Sequence, residues 1–245
     1  EEMLKVMKFS LLIFMVLSMN LIGQYSKIVD KTNYHFWLHL PNDTVLAKGA
    51  PVLIFLHGKS LAGKNLNLVR KYGVLDAIDK GMQIDAIVVA PQIPRRSSWN
   101  PHKVYNILRY VIDNYNVDTT RIYVAGMSMG GSGTYTFATA YPEVVAAAIS
   151  MCGRINQSDP CILAELNLWI HHGKRDRDVP ISESYKAVKM IQKCNPDANL
   201  KFTVHPKYGH SEIARVFHQK EIYEWLFSFR KGSSTQETET IETSQ

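Results

Sequence analysis

The run Gly126-Met127-Ser128-Met129-Gly130-Gly131 directly follows the apolar stretch Ile122–Ala125 and opens a segment of helical character, Ser132–Tyr141. A serine with glycine two residues to either side, set between a strand and a helix, has the spacing of a nucleophile on a sharp turn. The reason is steric. The hydroxyl must project above the sheet, and side chains two positions away would collide there, so glycine is needed at 126 and 130. Glycine and serine are common, so the pentapeptide alone is modest evidence, and a glycine-rich turn with a serine cap is the plainer reading. Its place between a strand and a helix favours the nucleophile.

A serine hydroxyl attacks well only when a base accepts its proton. Around such turns the acid and then the histidine follow the serine in chain order. Of nine histidines, His210 and His218 lie beyond the last strand-like segment, Lys201–His205. His210 sits in the loop Lys207-Tyr208-Gly209-His210-Ser211, where an imidazole can be presented to the serine, whereas His218 falls in a helical stretch and reads as surface. The acid belongs in His172-Gly173-Lys174-Arg175-Asp176-Arg177-Asp178-Val179-Pro180, where Asp176 and Asp178 both qualify. Spacing alone does not separate them, and either could pair with a neighbouring arginine instead. An oxyanion needs two N–H donors. One is expected from Met129, the other from His57-Gly58-Lys59-Ser60, with Lys59 favoured over Ser60. His57 reads as a brace for that loop. Trp99, in Arg95-Arg96-Ser97-Ser98-Trp99-Asn100, either lines the acyl or sugar site or anchors packing.

These residues need a scaffold. Strand-like runs at Tyr34–Leu40, Val52–Leu56, Ala86–Ala90, Ile122–Ala125, Val145–Met151, Leu168–His171 and Lys201–His205 alternate with helical patterns at Val104–Tyr115, Ser132–Tyr141, Ser182–Lys193 and Lys220–Phe229. Ser182 reads as a helix cap. Alternation of this kind implies an α/β fold, a mostly parallel sheet with helices on both faces, whose ligands bind beyond the carboxyl ends of the strands. No internal repeat or linker divides the middle, so one domain is expected over residues 25–231.

The chain has 245 residues, 46% hydrophobic and 20% charged, with a formal net charge of +6. Lysines and arginines are scattered along the sequence without a basic run, the pattern of a solvated surface and not of a nucleic-acid stripe. Of the three cysteines, Cys152 and Cys161 are close enough in sequence to bridge in an oxidising compartment; the alternative is three buried thiols. No zinc-type spacing is present, and the adjacent His171 and His172 point to opposite faces of a strand, so no metal and no cofactor is expected. Lys5 and Lys8 precede the apolar run Phe9–Ser18, with Gly23 and Gln24 following, the layout of a secretory signal over residues 1–24 with cleavage near Gly23. An uncleaved anchor is the alternative, the only membrane contact expected. Residues 232–245, rich in Ser, Thr, Glu and Gln, read as a disordered tail.

The segment Asp118–Gly131 resembles the small secreted esterases of the α/β-hydrolase superfamily, a phospholipase/carboxylesterase-like group related to feruloyl esterases and polyhydroxybutyrate depolymerases. Tyr141-Pro142-Glu143, Cys152-Gly153, Trp169–Asp176, Val179-Pro180 and Tyr208-Gly209-His210 continue the likeness, which covers roughly Tyr34 to Phe229. The resemblance implies Ser128, Asp176 and His210 as the catalytic set, with the acid at Asp176, although Asp178 stands where relatives more often carry an apolar residue. It also implies ester hydrolysis through an acyl-enzyme. The short connectors leave no room for a large lid, so an open site for bulky esters, such as acetyl or feruloyl groups on plant polysaccharides, is expected. The alternatives are a prolyl-oligopeptidase-like peptidase, against which the lack of a recognisable propeller segment weighs, and a non-catalytic binding protein on the same fold.

Overall fold

The computed structural model describes residues 24–156 and 160–232. The expected leader, apart from Gln24, and the expected tail beyond Gly232 lie outside the described residues. Eight strands form one sheet: β1 (Gln24–Ile28), β2 (Phe36–Leu40), β3 (Ala50–Leu56), β4 (Ile87–Pro91), β5 (Val117–Met127), β6 (Ala147–Met151), β7 (Asn167–Gly173) and β8 (Leu200–His205), in the spatial order β1-β2-β4-β3-β5-β6-β7-β8. β1 and β2 pair antiparallel, as do β2 and β4, and from β4 to β8 every pairing is parallel.

The helices are α1 (Asp43–Ala47), α2 (Val74–Asp79), α3 (Pro101–Asn114), α4 (Met129–Ala140), α5 (Ser182–Cys194) and α6 (Lys220–Phe227). They cover both faces, and this is why the central strands are apolar without interruption. Along β3, Val52, Ile54 and Leu56 enter one core with Val104, Ile107, Phe137, Ala187 and Ile191 from α3, α4 and α5. Leu53 and Phe55 point the other way, into a second core with Val74, Leu75, Ile222 and Leu226 from α2 and α6. Side chains alternate along a strand, so one continuous apolar run supplies both cores.

Several boundaries differ from the sequence reading. α3 begins three residues early because the Asn100 side chain accepts from the Lys103 N–H and Pro101 occupies the first turn, a strong start signal. β5 extends back to Val117, which pairs with Ala50 across a register shift. Ser182 is not a cap but the first residue of α5, and the cap position is Ile181, which makes no side-chain bond. β1, α1 and α2 had no counterpart in the reading. Gln24, placed there in the leader, begins β1 opposite Leu40. Among the described residues no helix is long and apolar enough to cross a membrane.

The cysteine expectation is corrected. The bridge joins Cys161 to Cys194, with Cα atoms 5.2 Å apart, and Cys152 is free and buried. Cys152 is fixed just past β6 at the centre of the sheet edge, while the 3₁₀ turn Pro160–Glu165 packs against α5, bringing Cys161 to the last residue of that helix.

Candidate active site

β5 ends at Met127 and α4 begins at Met129, so Ser128 carries the whole reversal of direction. Its backbone takes φ 58° and ψ −119°, a conformation costly for a residue with a β-carbon. Its N–H donates to the Met151 carbonyl at 2.8 Å, and its carbonyl accepts from the Ser132 N–H at 3.0 Å, which holds the turn from both sides. The flanking glycines are sterically required. A β-carbon at Gly126 would overlap the Gly130 carbonyl, and one at Gly130 would overlap the Leu56 carbonyl of the neighbouring strand.

The loop after β8 brings His210 to this serine, with Nε2 2.9 Å from Ser128 Oγ. The other ring nitrogen, Nδ1, lies 2.7 Å from Asp176 Oδ2. In the tautomer that satisfies both contacts, Nδ1–H donates to the carboxylate and Nε2 accepts from the serine hydroxyl. Asp176, not Asp178, reaches the imidazole. The Asp176 side chain is fully buried, and its Oδ1 accepts from the N–H groups of Asp178 and Val179 at 2.9 and 2.8 Å. Asp178 therefore contributes its backbone to the acid while its side chain stands exposed on the rim. His218 is remote from the serine and bonds Asp76 at 2.9 Å.

His172, considered from sequence only as a metal ligand, supports the acid. Its Nε2 lies 2.9 Å from the Val179 carbonyl and 3.4 Å from Asp176 Oδ2, and its Nδ1 is 2.7 Å from Ser184 Oγ. Burial pushes its pKa down, so the ring is neutral and can donate through Nε2 while accepting from Ser184. His171 faces the opposite side of β7, with its Nδ1 3.1 Å from His205 Nε2. Parity along the strand separates the two rings. Cys152, Asp176 and His210 have ligand atoms within 4.8 Å of one another. Both Asp176 oxygens already accept hydrogen bonds, and burial drives the Cys152 thiol far above its ordinary pKa, which disfavours the thiolate that a metal would require.

Beside the serine lies a cavity of about 880 Å³ lined by Gly58, Lys59, Tyr72, Met127, Met129, Cys152, Arg154 and Asp178, with Met127 and Cys152 buried on its inner wall and Arg154 and Asp178 exposed at its mouth. Met129 is the first residue of α4, where backbone N–H groups have no acceptor within the helix, and Lys59 begins the 3₁₀ turn Lys59–Leu61 after Gly58. Both thus border the space in which an oxyanion would form. The Gly58 N–H is held by the Tyr72 hydroxyl at 3.0 Å, a contact that sequence reading missed because Tyr72 lies outside any recognised motif. His57 braces this loop. Nδ1–H donates to the Gly58 carbonyl at 2.7 Å, Nε2 accepts from the Ile93 N–H at 3.3 Å, and burial lowers its pKa to about 4.

The expectation that Trp99 lines the substrate site is corrected. Its Nε1–H donates to the His57 carbonyl at 3.1 Å, its ring meets His57 edge-on at 4.9 Å, and a β-carbon at Gly133 would lie 2.7 Å from its Cδ1. Only 7% exposed and absent from the cavity wall, Trp99 is a packing anchor between α4 and the loop after β3.

Comparison with known proteins places this geometry in context. A family model described as "Putative esterase" matches residues 26–229. Acetylxylan esterase A of Emericella nidulans is 26% identical over 153 residues, covering 54% of this chain and 47% of the fungal protein. The chain spans about half the length of the curated relatives it matches. Among solved structures, a thermostable esterase superposes with a TM-score of 0.70 at 26% identity, covering 85% of this chain and 63% of the other. A ferulic acid esterase superposes with a TM-score of 0.68 over 85% of this chain and 99% of its own, at 16% identity, a likeness of fold.

Proposed function

The chain belongs to the Esterase family of α/β-hydrolases, and from that premise we propose that it is a serine hydrolase cleaving carboxylic esters, with Ser128 as nucleophile, His210 as general base and Asp176 as the acid that orients it. The observation that carries this reading is the unbroken hydrogen-bonded series Asp176–His210–Ser128, closed on a strained turn at the carboxyl edge of the sheet. A binding protein would have no need to hold a serine in that backbone conformation.

In the proposed cycle, Ser128 Oγ attacks the ester carbonyl as its proton passes to His210 Nε2. The Asp176 carboxylate stabilises the imidazolium through Nδ1–H. The carbonyl oxygen becomes an oxyanion, held by the N–H groups of Met129 and Lys59. The C–O bond to the alcohol breaks as Nε2–H protonates the leaving oxygen, which leaves an acyl-serine. Water, deprotonated by the same nitrogen, then attacks the acyl carbon, and the proton returns to Ser128 Oγ as the acid departs.

The substrates we propose are acetyl or feruloyl esters on plant polysaccharides. The acetylxylan esterase relatives and the open cavity support this reading. Export to an oxidising compartment is proposed as well, supported by the Cys161–Cys194 bridge and the signal-like leader. The test is a panel of acetyl, feruloyl and longer acyl esters, run on the wild type and on Ser128→Ala. Removing the nucleophile should lower kcat by about 10⁴-fold or more. Retention of full ester turnover by Ser128→Ala would end the proposal.

A further inference from the structure

The chain's positive charge is scattered along its sequence, and its fold gathers part of it around the serine. Five loops leave the carboxyl ends of parallel strands and surround Ser128, and each contributes at least one exposed cation: Lys59 after β3, Arg95 after β4, Arg154 after β6, Arg175 after β7 and Lys207 after β8. The described carboxylates of the same five loops are Asp176, buried against His210, Asp178 on the cavity rim, Glu212, which accepts from the Gly209 N–H at 2.9 Å, and Glu165, at the far end of the loop after β6. At the opposite edge the signs are mixed, with Lys48 before β3, Lys201 in β8 and Arg230, which pairs with Asp118 at 2.6 Å, standing among acidic residues. Asp85, Asp118, Glu143, Glu165 and Asp197 stand at or before the starts of β4, β5, β6, β7 and β8. These cations are solvent-exposed, as expected from the sequence, and a parallel sheet gathers residues that recur once per β–α unit onto one edge.

Two of these cations reach the cavity itself. Lys59 and Arg154 line it together with Ser128, and both are exposed. Among the described residues neither has an ion-pair partner. The main chain of Arg154 is anchored by its N–H, which donates to Ser132 Oγ at 2.8 Å, one turn along α4 from the nucleophile. The inner wall is different: Met127 and Cys152 are 4% and 0% exposed and uncharged, so a small acyl group suits that side. The alcohol part of the ester then lies toward the mouth, against Arg154. A guanidinium carried there is the group best matched to a carboxylate, which it can engage through two parallel hydrogen bonds.

We propose that the ester's alcohol portion is an acidic glycan, a polysaccharide carrying uronate carboxylates close to the esterified sugar. Arg154 receives the nearest carboxylate, and the outer cations, Arg175 and Lys207 among them, attract the rest of the polymer. The proposal rests on the esterase reading and refines its substrate class. An anionic chain approaching this edge meets a net positive field focused on a cleft, which raises encounter rates at low salt and is screened within about 10 Å at 0.1 M ionic strength.

The experiment compares kcat/KM for acetyl release from two xylan oligosaccharides of equal length, one neutral and one bearing glucuronate beside the acetylated residue, at low and at high sodium chloride. Turnover of 4-nitrophenyl acetate by the wild type, and its loss in Ser128→Ala, checks the esterase reading separately. The wild type is expected to favour the acidic substrate by about 5-fold to 10-fold at low salt, chiefly through KM, with the preference shrinking at high salt. Arg154→Gln should bring the ratio close to one, and Arg154→Lys should recover part of it. Arg175→Gln combined with Lys207→Gln should flatten the salt dependence while the high-salt ratio stays as in the wild type. Equal kcat/KM for the two substrates at low salt overturns the proposal, as does a preference that Arg154→Gln leaves intact.

Discussion

At the scale of single residues, the site depends on which protons are committed before any substrate arrives. Asp176 Oδ1 is occupied by two backbone N–H groups, so Oδ2 alone faces His210 and fixes its tautomer. Asparagine at 176 would keep the shape and invert the outcome. Its oxygen must still accept from Asp178 and Val179, which turns the amide N–H₂ toward His210 and forces Nδ1 to accept. Nε2 then carries the proton and cannot take one from Ser128. Asp176→Asn is therefore expected to lower kcat by about 10⁴-fold with little change in KM and near-native stability, measured by ester kinetics and urea unfolding. Tyr72 acts one step further from the chemistry. Its hydroxyl holds the Gly58 N–H and lies 3.3 Å from Ser60 Oγ, on either side of the Lys59 peptide proposed to bind the oxyanion. Tyr72→Phe frees that loop and should reduce kcat by roughly 10-fold, with KM changed much less. A fall confined to KM would mean that Tyr72 contacts substrate and does not position the donor.

Between residues and the whole lies the strand–turn–helix unit of β5, Ser128 and α4, where glycine serves packing more than flexibility. A β-carbon at Gly130 meets a backbone carbonyl of β3, which no rotamer change can relieve. Gly130→Ala is expected to cost about 2–3 kcal/mol or more, seen as a lower urea midpoint, and to abolish esterase activity by displacing α4. Intact stability in that variant would show that the helix can shift away from β3. This unit was the most legible part of the sequence, because the pattern and the clash are both local. Buried parallel strands were legible for the same reason, as unbroken apolar runs. Legibility fell wherever a long-range partner decides. β1 is a largely exposed edge strand fixed by pairing with β2, so Gln24–Ile28 carries little apolar pattern of its own. Choosing between Asp176 and Asp178 needed either a family likeness or the fold, since it depends on which side chain turns inward. Cys161 finds Cys194 across 33 residues, while its nearer neighbour Cys152 is held away at the sheet edge. Trp99 has the composition of a binding residue, but the small Gly133 opposite it turns its ring into the core.

Taken as a whole, the molecule holds five of its nine histidines with lowered pKa values through burial, and this sets its response to acid. His39 and His57 are pushed down to about 4 by burial, and His171, His172 and His205 are lowered by burial as well. In the unfolded chain each would titrate near 6.5. Above that pH both states carry neutral rings and these groups do not tilt the balance. As pH falls below 6.5 the unfolded state takes up protons that the folded state refuses, so stability declines until the folded pKa is reached. Between roughly pH 6 and pH 4.5 each such ring lowers stability by at most about 1.4 kcal/mol per pH unit. Carboxylates with folded-state partners add to the loss only at lower pH, so the histidines govern the first part of the decline. His39 offers a clean probe, because it is 5% exposed on β2, its Nδ1 is buried without a partner, and it is remote from Ser128. His39→Leu replaces the ring, which packs against Tyr25 near the Arg70–Asp79 pair, with a side chain that does not titrate. Urea unfolding at pH 7.5, 6.0 and 5.0 should show the wild type losing stability steeply over this range. The variant should lose about 1 kcal/mol less per pH unit, whatever its stability at pH 7.5. Parallel slopes for the two proteins would mean that His39 accepts its proton in the folded state, and that the acid response is set by other groups.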